Sequence, residues 1–150
     1  TAPVRDNAFN RMIYRRAAAV VALSAAIAQV VQPLTRAAVV RIPSALAHLP
    51  HDDAVVARLR ATFGDGFFVG HVAALVDQHK GQRVLLEAAR LVAAQAPDMR
   101  FLFLGDGVDA AALAAESADM PQVCWLGFQA NVGDYLSLLD VFAFPSREEG

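Results

Sequence analysis

Short apolar runs alternate with segments of helical periodicity throughout the second half of the chain. The apolar runs are residues 67–76, 101–104, 123–126 and 141–144. The segments with apolar positions three or four apart are residues 82–95, 109–117 and 131–139. Strands that are apolar at every position are buried on both faces, and strands that alternate with helices form a parallel sheet. The pattern therefore predicts an α/β fold with a doubly wound parallel sheet.

The first part of the chain shows a weaker version of the same pattern. Residues 17–23 and 38–42 predict two strands, with a helix over residues 25–32 between them. Residues 43–50 begin and end with proline and are typical of a linker. Asp52 or Asp53 then caps a helix that runs to Phe63 and ends at Gly64. We therefore predict that residues 1–48 are a remnant of one domain plus a linker, and that residues 49–150 form a second domain.

The ends of the sequence indicate whether it is a fragment, and the apolar stretch of residues 17–31 has to be distinguished from a signal peptide. The chain starts with Thr1 and stops at Gly150, six residues after an apolar run, so we expect it to be a piece of a longer protein. The apolar stretch from residue 17 to 31 follows Arg15 and Arg16, which is also typical of a signal peptide. It is shorter than a membrane span, and a long, mixed-charge segment precedes it. A buried strand followed by a helix is the favoured interpretation.

Composition excludes several classes of function. The chain is 56% hydrophobic and 19% charged, which suits a folded core, and its net charge of −2 does not suit a nucleic-acid binder. Its one cysteine, Cys124, lies in an apolar run and is predicted to be a buried, inert thiol. These features favour the reducing cytoplasm. The four histidines lack the spacing of a metal site, and no D-x-D sequence is present.

A glycine pair follows the second strand of the predicted sheet. Gly105-Asp106-Gly107, together with Ala110, satisfies the dinucleotide fingerprint G-x-G-x-x-A. That fingerprint requires an acid at the end of the next strand to hold the ribose, and Gly127-Phe128 stands there instead. A nicotinamide or flavin site is therefore disfavoured, although glycines still allow a nucleotide to approach the backbone closely.

Two further loops carry candidate chemistry. Lys80, the only lysine of the chain, precedes Gly81 between a strand and a helix, where it is either a phosphate-binding cation or a solvated surface residue. Ser146 and Glu149 follow the last strand with the spacing of a capping box. Alternatively, Glu149 places a carboxylate at the carboxyl edge of the sheet, where it can accept hydrogen bonds from sugar hydroxyls.

In their order and spacing, these pieces resemble the donor-binding half of the family 4 glycosyltransferases, which have the GT-B fold of two Rossmann-like domains. The matching motifs are Lys80-Gly81, Glu87-Ala88, Pro97-Asp98, Gly105 to Gly107, Leu126-Gly127, Asp140-Val141 and Pro145 to Gly150. The resemblance extends from about residue 14 to residue 150. It implies that residues 1–48 belong to the N-terminal acceptor domain and that residues 49–150 belong to the C-terminal nucleotide-sugar-binding domain.

The resemblance also implies roles for individual residues. Lys80 would neutralise the donor diphosphate, and Glu149 would contact the transferred sugar, with a second acid eight positions later in the family motif. The implied donor-binding residues are Gly70, His71, Gly81, Gly105, Asp106, Gly107, Gly127, Phe128, Ser146 and Gly150. The family usually has an arginine after a glycine on the strand before Lys80. Here Gly70-His71 or Ala73-Ala74 stands in its place, and His71 would be a weak substitute.

The implied reaction is metal-independent, retaining transfer of a sugar from a UDP-, GDP- or ADP-sugar. No cofactor is expected, because the nucleotide-diphospho-sugar is itself the donor substrate. The acceptor would be a bacterial cell-envelope glycan or glycolipid, such as a polysaccharide or lipopolysaccharide. The protein would be cytoplasmic. Arg5, Arg11, Arg15 and Arg16 either form a solvated basic surface, which is the favoured interpretation, or make peripheral contact with anionic lipid of the inner membrane. The remaining alternatives are a dinucleotide-binding oxidoreductase module and a non-catalytic nucleotide- or sugar-binding protein.

Overall fold

The computed structural model of this chain describes residues 5–45 and 48–147, which divide into two compact units, Thr1–His48 and Leu49–Gly150. The helices are α1 (Ala8–Arg15), α2 (Ala25–Val31), a 3-10 helix (Gln32–Leu34), α3 (Asp53–Phe63), α4 (Asp77–Lys80), α5 (Gln82–Val92), α6 (Ala110–Glu116) and α7 (Val132–Leu138). The strands are β1 (Ala19–Ala22), β2 (Ala38–Arg41), β3 (Phe67–Val72), β4 (Met99–Leu104), β5 (Val123–Gly127) and β6 (Val141–Phe142). Among these residues, the structure contains no helix with the length and apolar character needed to span a bilayer.

The first unit is a small strand–helix–strand arrangement. β1 pairs in parallel with β2, and α2 connects them, beginning at Ser24, whose hydroxyl accepts a hydrogen bond from the Ile27 N–H at 3.2 Å. The predicted order of strand, helix and strand is correct. The expected burial is wrong for most of β1, because Ala22 is its one buried residue. α1 was not predicted, and Asn7 caps it by accepting a hydrogen bond from the Asn10 N–H.

The second unit contains one sheet of four parallel strands in the order β5-β4-β3-β6. The predicted doubly wound parallel sheet is confirmed. From β3 the chain moves outward through β4 to β5, and then it crosses back to β6 on the other side of β3. Strand order thus reverses between β3 and β6. Such a switch point opens a crevice outside the carboxyl ends of the strands, which is where ligands bind in open α/β sheets.

Helices cover both faces of this sheet. On one face, Leu85 and Leu86 of α5 and Leu113 of α6 pack with the side chains of Phe101 and Phe103. On the other face, Phe68, Leu102 and Leu104 pack against α7 through Tyr135 and Leu138. Successive residues of β4 therefore point to opposite cores, which explains why all of its last four positions are apolar.

A row of aromatic rings crosses the sheet, with one ring from each of three strands and one from the loop after β6. Trp125 of β5 stacks on Phe103 of β4, with ring centroids 4.3 Å apart. Phe103 meets His71 of β3 edge-on at 5.8 Å, and His71 lies 5.8 Å from the ring of Phe144. The row follows from the register, which pairs Phe103 with both Trp125 and His71.

Several predicted boundaries need correction at the carboxyl ends of the strands. The strand predicted over residues 67–76 ends at Val72, and Lys80 lies in the helical turn α4 rather than in a loop. Beyond Val72 the chain bonds to the loop after β4, with the Leu75 N–H donating to the Asp106 carbonyl at 2.9 Å. The strand predicted over residues 141–144 ends at Phe142, because β6 pairs with β3 at only two positions.

The residues at the starts of α3 and α7 differ in whether their side chains cap the helix. Asp52 caps α3, since its carboxylate accepts a hydrogen bond from the Ala54 N–H at 2.8 Å, and Gly64 ends the helix with φ +89°. Asn131 stands at the N-cap position of α7, but its side chain makes no capping hydrogen bond. Its side chain instead donates to the carboxylate of Asp134, which also accepts the Asp52 N–H at 2.7 Å.

Candidate functional site

A cavity of about 490 Å³ opens at the carboxyl edge of the four-stranded sheet. The loops after β3, β4 and β5 form it, and its lining residues are Val72, Ala73, Ala74, Leu104, Gly105, Asp106, Phe128, Gln129, Ala130 and Val132. Three residues of the predicted donor site, Gly105, Asp106 and Phe128, therefore meet in one cavity. The ring of Phe128 is 79% exposed, so it offers an uncovered aromatic surface at the cavity wall. The volume lies within the range of small-molecule sites.

The glycines of the G-x-G loop are held by backbone packing. Gly105 has φ +131°, and a Cβ atom there would collide with the carbonyl oxygen of Ala73. A Cβ atom on Gly107 would collide with the carbonyl oxygen of Leu75. The loop after β4 thus lies directly on the loop after β3, which only glycine permits. Gly127, with φ +65° and open space around it, supplies a turn at the end of β5.

Lys80 and Gly81 lie at the switch point. The ammonium of Lys80 is 5.2 Å from the centroid of the Phe144 ring, in the loop after β6. Gly81 is left-handed at φ +69°, and a Cβ atom there would collide with the carbonyl oxygen of Pro145. The loops after β3 and β6 are therefore in direct contact at this point. The structure places Lys80 where the fold predicts a ligand.

His71 and Gly70, both predicted to contact the donor, face the interior. His71 is fully buried, and its Nδ1 lies 2.9 Å from the carbonyl oxygen of Ala143 and must donate to it. Its Nε2 then accepts from the Gln82 amide at 3.3 Å. Gly70 is buried because its Cα packs against the side chain of Leu139. Neither residue lines the cavity.

The charge state of His71 follows from this setting. Burial lowers the pKa of His71, the hydrogen bond to the Ala143 carbonyl raises it, and the nearby charge of Lys80 lowers it further. The net shift is downward, so the imidazole is neutral near pH 7. A neutral, buried ring does not supply the positive charge of the family arginine, and a donor contact of His71 stays a prediction.

Four polar residues in or around α4 were not predicted as part of the site: Asp77, Gln82, Asp109 and Arg147. Gln82 is fully buried, and its amide nitrogen donates to both His71 and the Ala74 carbonyl. Asp77 begins α4, which is a position that aspartate favours, and that preference is the one sequence signal that could have found it. The sequence carries no local sign that the other three join separate loops.

The end of the described chain also lies at the switch point. The Arg147 N–H donates to the His79 carbonyl at 2.9 Å, which ties the loop after β6 to α4. The hydroxyl of Ser146 is buried and has no hydrogen-bond partner among the described residues. Glu149 and Gly150 lie outside the described residues, so the predicted roles of both stay predictions. Within residues 5–45 and 48–147, no three His, Cys, Asp or Glu side chains are grouped closely enough to hold a metal ion.

Most of the second unit matches a known protein family. The family described as glycosyl transferases, group 1, matches residues 66–150. The chain therefore belongs to the group 1 glycosyl transferases. The predicted glycosyltransferase resemblance is confirmed at this level, and the assignment to family 4 stays a prediction.

Three similar proteins show how far the likeness extends. EpsD of Bacillus subtilis (strain 168), named as a candidate glycosyltransferase, is 32% identical over 99 residues, which are 62% of this chain and 26% of EpsD. Anabaena HepE, solved with UDP and glucose, has a TM-score of 0.71 at 23% identity over 90% of this chain and 39% of HepE. The lipopolysaccharide outer core galactosyltransferase WaaB has a TM-score of 0.60 at 15% identity, over 89% of this chain and 38% of WaaB. The structural likenesses confirm the predicted fold, and the chain spans well under half of each relative.

Proposed function

We propose that this chain is part of an enzyme that transfers a sugar from a nucleotide-diphospho-sugar to an acceptor. The main support is the cavity at the carboxyl edge of the sheet, which the loops after β3, β4 and β5 form. The chain also belongs to the group 1 glycosyl transferases. The loop after β3 contributes Ala73 and Ala74 to that cavity and continues into α4, which ends at Lys80. The proposed nucleoside site is this cavity, and the diphosphate would then lie toward the switch point.

The proposed chemistry is stabilisation of the leaving group. Cleavage of the donor places growing negative charge on the nucleoside diphosphate and leaves an oxocarbenium-like sugar. A fixed ammonium at the switch point would stabilise that charge, and Lys80 supplies it without reorganisation. The proposed transfer needs no metal and no separate cofactor, and it retains the anomeric configuration. Glu149 remains the proposed contact of the transferred sugar.

The donor and acceptor classes are finer parts of the proposal. HepE is solved with UDP and glucose, which supports a UDP-sugar as the first donor to test. WaaB is named for the lipopolysaccharide outer core, which supports a cell-envelope glycan or glycolipid as the acceptor. No nucleic-acid partner is proposed, given the net charge of −2.

We also propose that this protein is cytoplasmic and makes peripheral contact with the inner membrane. The support is α1, where Phe9, Met12 and Ile13 are exposed beside basic residues that include Arg11 and Arg15. Apolar and basic side chains together on one exposed helix suit an anionic lipid surface. Sedimentation of the full-length protein with vesicles should require anionic lipid, and equal sedimentation with neutral vesicles would contradict this contact.

The decisive experiment is ligand-dependent thermal stability of the full-length protein. One of UDP, GDP or ADP, added at about 100 times its dissociation constant, should raise the free energy of unfolding by about 2.7 kcal/mol. NAD is the control, because the acid that a dinucleotide site requires is absent after β5. Stabilisation by NAD alone would contradict the proposal and favour an oxidoreductase module.

A further inference from the structure

Asp77 is a buried carboxylate at the start of α4, three residues before Lys80. Its side chain is 6% exposed. A buried charge is costly unless hydrogen bonds and opposite charges surround it. The fold therefore has to supply Asp77 with partners, and those partners come from several separate elements.

The partners of Asp77 join three loops of the carboxyl edge. One carboxylate oxygen accepts the Arg83 N–H at 2.7 Å, at the start of α5. The other lies 3.1 Å from the Arg83 guanidinium and 3.8 Å from that of Arg147, in the loop after β6. The Asp77 N–H donates to the carboxylate of Asp109 at 2.9 Å, in the loop after β4.

These contacts fix the position of α4. The helix is a single turn, too short to hold its own conformation, so its place depends on what anchors its two ends. Gly81 packs beneath Pro145 at the end of α4, and Asp77 is anchored at the beginning. These two anchors determine the direction in which the Lys80 side chain leaves the backbone.

We propose that Asp77 is a positioning residue, which holds α4 against the loops after β4 and β6 and so aims the ammonium of Lys80 at the switch point. This inference rests on the proposed function, since Lys80 is the proposed contact of the donor diphosphate. Asp77 itself does not line the carboxyl-edge cavity and is not assigned a contact with the donor. Its effect on turnover is exerted through Lys80.

The test uses Asp77→Asn in the full-length protein. An asparagine oxygen can still accept the Arg83 N–H, so the start of α5 keeps its cap, while the charge that binds Arg83 and Arg147 is lost. We expect turnover to fall about tenfold, because a modest displacement of a catalytic cation is costly. Glu116→Gln is the matched control, because Glu116 is the exposed second partner of the same arginine, at 2.6 Å. It should leave turnover unchanged.

A double substitution separates positioning from a general structural role. If Asp77 acts through Lys80, Asp77→Asn should lower turnover less than twofold when Lys80 is already alanine. An equal loss in both backgrounds would overturn the proposal, because it would show that Asp77 supports the fold in general. Normal turnover in Asp77→Asn alone would overturn it as well.

Amide hydrogen exchange decides the question without relying on activity. Exchange in residues 77–81 and 143–147 should be faster in Asp77→Asn than in Glu116→Gln, measured by mass spectrometry on the full-length proteins. Unchanged exchange overturns the proposal whatever turnover shows. If the unsubstituted protein neither binds a nucleoside diphosphate nor transfers sugar, the proposed function fails, and this measurement still tests the anchoring of α4.

Discussion

The two edges of the four-stranded sheet have cavities of nearly equal size but very different chemistry. The carboxyl-edge cavity measures about 490 Å³, and a cavity of about 470 Å³ lies at the amino edge. The second is lined by Arg90, Ala93, Ala96, Pro97, Arg100, Asp119, Met120, Pro121 and Gln122. Volume alone therefore does not distinguish a candidate site from a surface groove on this protein.

The polar groups of the two edges are bound in different ways. At the amino edge, Arg90 donates to the Glu116 carbonyl at the end of α6 and Arg100 donates to the Pro97 carbonyl, and neither arginine is buried. At the carboxyl edge, His71, Asp77 and Gln82 are buried and connect separate loops. Burying polar groups costs stability, and proteins accept that cost most often at functional sites. Buried polar side chains that connect separate loops therefore identify the candidate site better than cavity volume does.

The largest expected difference between the edges is in catalysis. Lys80→Ala should lower turnover of the full-length protein about 100-fold, because a fixed charge on the leaving group is lost. Lys80→Arg should restore it only in part, since a planar guanidinium does not reproduce a compact ammonium. Arg100→Ala at the amino edge is the control and should stay within twofold. Steady-state kinetics with the identified donor measure all three, and near-normal turnover in Lys80→Ala would remove the distinction.

Two glycines, one at each edge of the sheet, test which edge binds the nucleoside diphosphate. Added Cβ atoms would collide with a carbonyl oxygen in both cases, that of Ala73 for Gly105 and that of Asp98 for Gly66. Gly105→Ala and Gly66→Ala should each destabilise the fold by about 1–3 kcal/mol in urea titrations. Calorimetry should show weaker binding of the nucleoside diphosphate for Gly105→Ala alone. Equal affinities in the two variants would mean that the nucleotide does not use the carboxyl-edge cavity.

The smallest expected difference is in acid stability. Burial raises the pKa of Asp77, but the Arg83 N–H and guanidinium and the charge of Arg147 lower it more, so the net shift is below the usual value of 3.8. The ionised form then stabilises the folded state fully above that usual value, and the contribution is lost as pH falls through the lower, folded-state pKa. Asp77→Asn should therefore flatten the loss of stability as the pH falls below the usual aspartate pKa of 3.8.

The matched variant for this measurement lies at the amino edge. Asp119 is exposed and lies 4.0 Å from Arg90, so Asp119→Asn should follow the unsubstituted protein at every pH. Melting temperatures recorded across this range measure both variants. Identical curves of melting temperature against pH for Asp77→Asn and Asp119→Asn would show that the buried contacts of Asp77 do not contribute to acid stability.

The sequence predicted the architecture because the relevant signals are local. Continuous apolar runs mark strands buried on both faces, and Pro97 and Gly64 mark where helices stop, so each element could be recognised from its own residues. The loops at the carboxyl ends of the strands could then be predicted from the parallel arrangement alone. Gly105 and Phe128 lie in those loops, as expected, whereas Lys80 ends the helical turn α4 between β3 and α5.

The remaining features depend on contacts between distant parts of the chain. Gly70 was expected to approach the donor, but Leu139 packs on its Cα, and the sequence does not reveal which side of β3 meets α7. His71 was expected near phosphate, but the Ala143 carbonyl, 72 residues away, holds it inside. Asp77 has no motif of its own, and its importance follows from Asp109 and Arg147, which only the folded chain brings to it.

The aromatic row gives this protein a built-in optical reporter. Trp125 is the only tryptophan of the chain, so its fluorescence comes from one place in the sheet. Through Phe103 and His71, its ring is in contact with a row that ends at Phe144, beside Lys80. A nucleotide that shifts Phe144 would disturb the stacking along this row and change the emission of Trp125. We therefore expect the fluorescence of Trp125 to follow occupancy of the switch point in solution, without a label.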